Sequence, residues 1–464
     1  MNNNDKSMRF FFEPKGIALI GASANPLKGG YSILSNLMRG FQGNIYPVNP
    51  GHGEINGLKC YSSILQVPDP IDLALIFVPA EPTLQAATEC AERGLQGVMV
   101  QSAGFAEVGE KGKALEKELQ TIGRKSGMRI WGPNCMGLVD AVKRHVFSFV
   151  SPAIWDDGLV PGKVSFIVQS GMLSAGFLID IMSHGTMGIS KACSIGNKVD
   201  VDECDLLEYL MNDPDTGTVG LYLESMKDGK RFLDLCRRSS KPIVVLKGGK
   251  SKRGAQAALS HTASVAGDRS IISGALAQAG AIEAGDFIQL TDLSRTLAAF
   301  PGTSSPGNGR VAVLTYSGAA GIVSSDFLDQ HGLLLADLSD GTKQKLKNVF
   351  PTWMPVSNPV DLWPAMERNG AMPVWEKAFR AVCADPGVDA VFFHLFVGGL
   401  AGTPDISPLA EIARKAGKPI FAWILGKRKE AHTFQLQCRD LGVPVFREIG
   451  RAVECMAAVF RKTS

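Results

Sequence analysis

Three short stretches set the terms for this chain: GIALIGAS from Gly16, VSFIVQSGML from Val164 and VAVLTYSGAAG from Val311. Each is an apolar run that ends in a glycine-containing turn and passes into a helix-like stretch. Apolar runs without polar alternation fit strands buried on both faces, the condition of a parallel sheet covered by helices. The openings recur about 150 residues apart, and further apolar runs such as TVGLYLES, KPIVVLKGGK and KPIFAWILGK alternate with longer amphipathic stretches. That alternation predicts β-α-β units and an α/β fold of parallel sheets. Linkers rich in Pro, Gly and Ser, SPAIWDDGLVPGK and PGTSSPGNGR, divide the chain at about 1–150, 151–303 and 304–464.

Composition excludes several classes of function. Lys and Arg total 48 against 45 Asp and Glu, a net charge of +3 with no basic block, so no nucleic-acid partner is expected. The longest apolar runs are strand-length, short of the roughly 20 residues that span a bilayer, and MNNNDKSMRFFFEPKG lacks a signal-peptide core. No membrane association and a cytoplasmic location are therefore expected. The nine cysteines form no C-x-x-C pair, which supports neither a disulfide framework nor a zinc site.

The second and third segments read as copies of one plan: an opening strand, a Lys-Pro-Ile strand at Lys241 or Lys418, a glycine turn at Gly280 or Gly442, and a closing helix. The interval from lysine to glycine is 39 positions in one copy and 24 in the other. The longer copy carries its excess in a loop containing AALSHTASVAG, with His261 among small residues. An insertion on a rigid scaffold more often serves chemistry than packing. Histidines 145, 184, 331, 394 and 432 lack that setting and are read as structural.

Ligands of open α/β sheets bind beyond the carboxyl ends of the strands, so site residues are sought there. In the first segment these ends offer the turn IGASANPLKGG, with Gly21, Ala22, Ser23 and Lys28, then Val78-Pro79, Ser102 in QSAG, and Asn134-Cys135 in GPNC. Small residues and helix N-termini at four ends point to a nucleotide-like ligand. In the second segment they offer Gln169-Ser170-Gly171, Gly196-Asn197, Glu224 and Lys247-Gly248-Gly249-Lys250 leading to His261. Ser170 and Gly171 suit an oxyanion or phosphoryl group, and Glu224 is placed to bond one imidazole nitrogen and leave the other nucleophilic. Cys135 is read as a small residue lining a cleft. The acidic run Asp200, Asp202 and Asp205 suits either Mg²⁺ or a helix cap, and the cap is preferred.

IGAS, YPVNP, GPNC, VQSG, GNKVDVDECDLLEYLMNDPDT, LYLESMKDGKRF, the block around SHTASVAG and SNPVDL occur in the order seen in one family. On these motifs the chain resembles the α subunit of the ADP-forming acyl-CoA synthetases, relatives of the succinyl-CoA synthetase α subunit. The resemblance implies an N-terminal Rossmann-like CoA-binding domain followed by two flavodoxin-like, doubly wound domains. It implies that His261 is phosphorylated in turnover, that Glu224 orients it, and that Ser170, Gly171, Gly196 and Asn197 border the phosphoryl group. CoA then falls to Gly21, Ala22, Ser23, Lys28, Val78, Pro79, Ser102, Asn134 and Cys135. No ATP-grasp region and no Walker A sequence is found, so ATP/ADP with Mg²⁺ is expected on a separate ATP-grasp β subunit, in an α2β2 heterotetramer acting on a small carboxylic acid. A non-catalytic CoA-binding regulator of the same fold is the alternative. An NAD(P)-dependent dehydrogenase is disfavoured by the incomplete G-x-G-x-x-G and the missing acidic residue after YPVN.

Overall fold

The computed structural model describes residues 3–156, 158–251, 253–254, 256, 268–301, 308–399 and 404–461. The chain forms two compact units, residues 1–294 and 295–464. In the first unit, β1 (Gly16–Ile20) and β2 (Asn44–Val48) are followed by a hairpin, β3 (Glu54–Ile55) and β4 (Leu58–Lys59). Then come β5 (Leu73–Ile76), β6 (Gly97–Val100) and β7 (Arg129–Trp131). The sheet runs β2-β1-β5-β6-β7, all parallel. The apolar openings become strands because both faces are covered: every residue of β1, β5 and β6 is buried.

The second sheet contains β8 (Gly137–Asp140), β9 (His145–Phe147), β10 (Pro161–Val168), β11 (Ile189–Ser194), β12 (Thr218–Leu223), β13 (Ile243–Lys247) and β14 (Ile282–Glu283). Its order is β14-β13-β12-β10-β11-β8-β9, parallel from β14 to β11, with the β8–β9 hairpin added antiparallel at the edge. The hairpin thus lies ahead of residue 150 in sequence yet belongs to the second sheet. In the other unit, β15 (Arg310–Thr315), β16 (Leu334–Leu335), β17 (Val360–Asp361), β18 (Ala390–Val397), β19 (Ile420–Gly426) and β20 (Val445–Phe446) run β16-β15-β18-β19-β20, with β17 also on β15. Setting aside β17 and the antiparallel hairpin, all three sheets share the doubly wound order 2-1-3-4-5. The α/β reading of the sequence is what the chain adopts.

The two sheets of the first unit share one apolar core. An N-terminal helix, Asn3–Phe12, fastens them. Phe11 meets Trp131 edge to face at 5.4 Å, and Phe12 stacks on Tyr209 of the helix Glu203–Asn212 at 3.8 Å. Aromatic contacts of this kind contribute about 0.5–1.5 kcal/mol beyond the area they bury.

The two Lys-Pro-Ile strands reuse one device. Lys241 Nζ donates to the carbonyls of Leu210 and Asp213, and Lys418 Nζ donates to the carbonyl of Asp385. Both aspartates sit in Asp-Pro turns just past helix ends. A cation there favours the negative end of the helix. The repeated lysine and Asp-Pro turn fit a duplication.

A buried charge cluster joins the hairpin to the second sheet. Lys191 on β11 lies opposite Asp140 on β8, and its ammonium is 2.8 Å from Asp213 and 3.5 Å from Asp140. Burial pushes the Asp213 carboxyl up, but hydrogen bonds from Lys191 and Thr216 outweigh it and hold the group below its ordinary value. Lys191→Met leaves two buried carboxylates unmatched and should cost about 3–5 kcal/mol in urea unfolding at pH 7. A depressed carboxylate contributes stability above its unfolded pKa of about 3.9 and loses it as pH falls through the lower folded value. The gap between wild type and variant should therefore close as the medium is acidified below about pH 4.

Candidate active site

The carboxyl ends of the strands in the first unit enclose a cavity of about 570 Å³. The first sheet contributes Phe77, Val78 and Pro79 after β5, Gln101, Ser102 and Ala103 after β6, and Asn134 and Cys135 after β7. The second contributes Gln169, Ser170 and Gly171 after β10, and Gly196 and Asn197 after β11. Phe149, just past β9, completes the wall and lies 5.5 Å from Phe77, ring to ring. Phe77, Val78, Pro79 and Phe149 give it an apolar wall, and the rest of the lining carries hydroxyls and the start of the helix Gly171–His184. A ligand with an apolar part and an anionic or polar end fits such a lining.

The polar side is built by close backbone packing. Residues 197–201 run beside 130–133, with hydrogen bonds from Asn197 N to Pro133 O, Val199 N to Gly132 O and Val201 N to Ile130 O at 2.9–3.0 Å. Gly196 has φ +57°, and a Cβ there would lie 2.1 Å from the Pro133 carbonyl oxygen, so only glycine fits. Asn197 is fully engaged: its amide nitrogen donates to Glu107 and Glu116 at 2.7 Å each, and its oxygen accepts from Asn134 at 3.3 Å. Its side chain ties the turn after β11 to Asn134, to Glu107 and to the helix Glu110–Ser126 that carries Glu116.

Glu224 follows β12, which pairs with β10. The Gln169 side-chain oxygen accepts from the backbone N–H groups of Glu224 and Ser225 at 2.8 and 2.9 Å, while its nitrogen donates to Ser225 Oγ. Gln169 therefore couples the cavity to the Glu224 loop, although Glu224 itself does not line the cavity. Buried Lys198 binds Glu203 and the Ser225 carbonyl beneath the same loop.

The family model described as CoA binding domain matches residues 15–141, and that for a succinyl-CoA ligase like flavodoxin domain matches residues 161–297. The chain is 37% identical over 420 residues to the acetate–CoA ligase (ADP-forming) II subunit alpha of Pyrococcus furiosus, covering 89% of each. It is also 37% identical to acetate–CoA ligase (ADP-forming) II of Archaeoglobus fulgidus, where the match covers 97% of this chain and 66% of that protein. The chain belongs to the ADP-forming acyl-CoA synthetases. A solved structure of the dinucleotide-forming acetyl-coenzyme A synthetase 1 of Ca. Korarchaeum cryptofilum, in complex with phosphate and ADP, superposes with a TM-score of 0.87 at 32% identity. It covers 98% of this chain and 96% of that one. Relatives named as ligases favour a catalytic acid–thiol ligase over a regulator.

Of the residues expected to hold CoA in this synthetase, Val78, Pro79, Ser102, Asn134 and Cys135 line the cavity together with Ser170, Gly171, Gly196 and Asn197. Gly21, Ala22, Ser23 and Lys28 do not. They occupy the neighbouring end of β1: Gly21, at φ +92°, abuts the Phe77 backbone, and Lys28 is exposed at the start of the helix Gly29–Gly40. His261 lies outside the described residues. The cavity residues that reading the sequence did not place in the site are Phe149 and Phe77, while Gln101, Ala103 and Gln169 stand in the strand-end stretches QSAG and QSG where site residues were sought. For Phe77 the signal was available, since it directly precedes the predicted Val78. Phe149 had none, because it reaches the cavity only through the β8–β9 hairpin.

The acidic run is consumed structurally. Asp202 caps the helix Glu203–Asn212, while Asp200 and Asp205 pair with Arg129 at 2.8 and 2.7 Å. His394, on β18, is buried between Thr315 and Ser324, and burial pushes it down to about 3. Among the described residues no helix is long and apolar enough to cross a membrane.

Two glycines of the site should respond oppositely. Gly196→Ala should cost at least about 1–2 kcal/mol in thermal unfolding and weaken CoA binding by calorimetry. Gly171→Ala, whose Cβ would find its nearest atoms at 3.7 Å, should fall within about 0.5 kcal/mol of wild type. Burial pushes the Cys135 thiol up to about 12, and all nine cysteines are buried thiols outside any disulfide. A disulfide reagent at pH 8 should therefore find no fast-reacting thiol in the native chain and nine after denaturation.

Proposed function

We propose that this chain is the catalytic α subunit of an ADP-forming acyl-CoA synthetase that joins a small carboxylic acid to CoA. The observation that carries the reading is the shared cavity, where strand ends of a CoA-binding sheet face the serine and glycine turns of a succinyl-CoA-ligase-like sheet. The apolar wall of Phe77, Val78, Pro79 and Phe149 suits the thin arm of CoA, and Ser170, Gly171 and Gly196 suit a phosphoryl group. In this reading residues 1–150 bind CoA, 151–303 carry the phosphohistidine loop, and 304–464 form a second flavodoxin-like domain.

The chemistry is a relay of one phosphoryl group. An imidazole nitrogen of His261 attacks the γ-phosphorus of ATP, the bond to the β-phosphate oxygen breaks, and ADP leaves. A carboxylate oxygen of the acid next takes the phosphoryl group, regenerating the imidazole and giving an acyl phosphate. The CoA sulfur, its proton lost, then attacks the acyl carbon and phosphate departs. Glu224 orients the histidine and stabilises its charged states. Positioning and anion stabilisation supply most of the rate, which suits a site made of backbone N–H groups and hydroxyls.

The relative named as an α subunit supports a separate partner. We assign that partner the ATP-grasp fold and the ATP/ADP and Mg²⁺ site, in an α2β2 assembly. Acetate, named for the relatives, is the first acid to test.

With its partner, labelled ATP and CoA, the chain should acquire an acid-labile, base-stable phosphate on His261. His261→Ala should abolish the label and reduce acyl-CoA synthesis by about 10³-fold or more. Full synthesis by that variant would overturn the assignment.

A further inference from the structure

Among the described residues three lysines are more than nine-tenths buried: Lys191, Lys198 and Lys247. Two have a carboxylate at close range, Lys191 from Asp213 at 2.8 Å and Lys198 from Glu203 at 2.9 Å. Lys247, at the end of β13, has none. Its ammonium donates to the backbone carbonyls of Glu224 at 2.7 Å and Gly248 at 2.5 Å, and no carboxylate among the described residues lies within ion-pair distance.

Helix ends do not explain it either. The carbonyls that receive Lys241 and Lys418 lie at helix C-termini, whereas Glu224 and Gly248 follow strands. The charged groups acting on Lys247 are Lys198 and Lys250, both positive, and Glu224. Lys250 is already paired with Glu283 at 2.5 Å. An ammonium has three donors, and carbonyls take two. A buried cation with no carboxylate at hydrogen-bond distance is unfavourable unless an anion joins it. The place is also the right one: β13 adjoins β12, its end shares an edge with Gln169 and Ser170, and the chain running on from Lys247 reaches His261 fourteen residues later.

We propose that Lys247 is an anion-binding residue of the phosphoryl site, its ammonium holding an oxygen of phosphate between the ends of β12 and β13. The proposal rests on the phosphohistidine reading. Lys247 forms no covalent bond; it supplies charge and one N–H to the group that His261 carries and to the inorganic phosphate that leaves.

The competing possibility is that Lys247 only stitches two loops, and Lys247→Gln separates the two because glutamine keeps donors for both carbonyls and loses the charge. With the reconstituted enzyme running in reverse on acetyl-CoA, ADP and inorganic phosphate, Lys247→Gln should raise KM for phosphate by about 10- to 100-fold. KM for acetyl-CoA should stay within about twofold, since CoA is bound by other residues. Lys247→Arg, which keeps the charge, should restore most of the phosphate KM, and the melting temperatures of both variants should match wild type. An unchanged phosphate KM in Lys247→Gln, or equal rises for phosphate and acetyl-CoA, would overturn the role of Lys247 alone. A wild-type pair that turns over without phosphohistidine would overturn the functional reading and this proposal with it.

Discussion

The candidate site depends on a single buried hydrogen bond, from the Trp131 indole at the end of β7 to the Ser194 carbonyl at the end of β11, 2.7 Å long. One partner closes the first sheet and the other leads into Gly196 and Asn197. Ser194 Oγ also accepts from Met136 N at 2.9 Å, so the turn carrying Asn134 and Cys135 is fixed to the same strand. In a water-excluded core such bonds act at low dielectric, and each loses more if broken than it would at a surface. The aromatic contacts of Phe11 and Phe12 keep water out, and the backbone ladder between 130–133 and 197–201 extends the tie along the cavity. Two sheets that could have been separate domains therefore share one rigid edge.

In the proposed relay, rigidity at that edge has a chemical purpose. A relay that moves a phosphoryl group between acceptors must offer each one the same geometry, because phosphoryl transfer is controlled by position and by stabilised charge. The fixed parts are made of backbone, glycine and small hydroxyl side chains, which present N–H groups without bulk. Charged residues around them are mostly neutralised locally, as with Lys198 and Glu203 or Arg129 and its two aspartates. Lys247 stands out against that background.

Much of this was legible in the sequence. Strands buried on both faces must be apolar throughout, so GIALI, VSFIV and VAVLT announced parallel sheets, and the ligand end of a parallel sheet follows from its direction. That reasoning selected Val78, Pro79, Ser102, Asn134, Cys135, Ser170, Gly171, Gly196 and Asn197, which the fold brings to one cavity. It also selected Gly21 and Lys28, which stand at the neighbouring end of β1, since strand direction specifies an edge but not a position along it. The FFF run of Phe10 to Phe12 was read only for what it excluded, yet it fastens the two sheets.

The sequence by itself determined the fold class, the three repeated openings, the duplicated Lys-Pro-Ile plan and the family, because each is written in local periodicity or in contiguous motifs. Only the tertiary structure decided that β8 and β9 join the second sheet, that Phe149 walls the cavity, that Asn197 is engaged by Glu107 and Glu116, and that Lys247 lacks a carboxylate where Lys191 and Lys198 have one. Lys198 and Glu203 apart, which are five positions from one another, these facts concern partners between 22 and 90 residues apart in the chain. Pattern reports which face of an element is buried; what lies against that face is settled only when the elements pack.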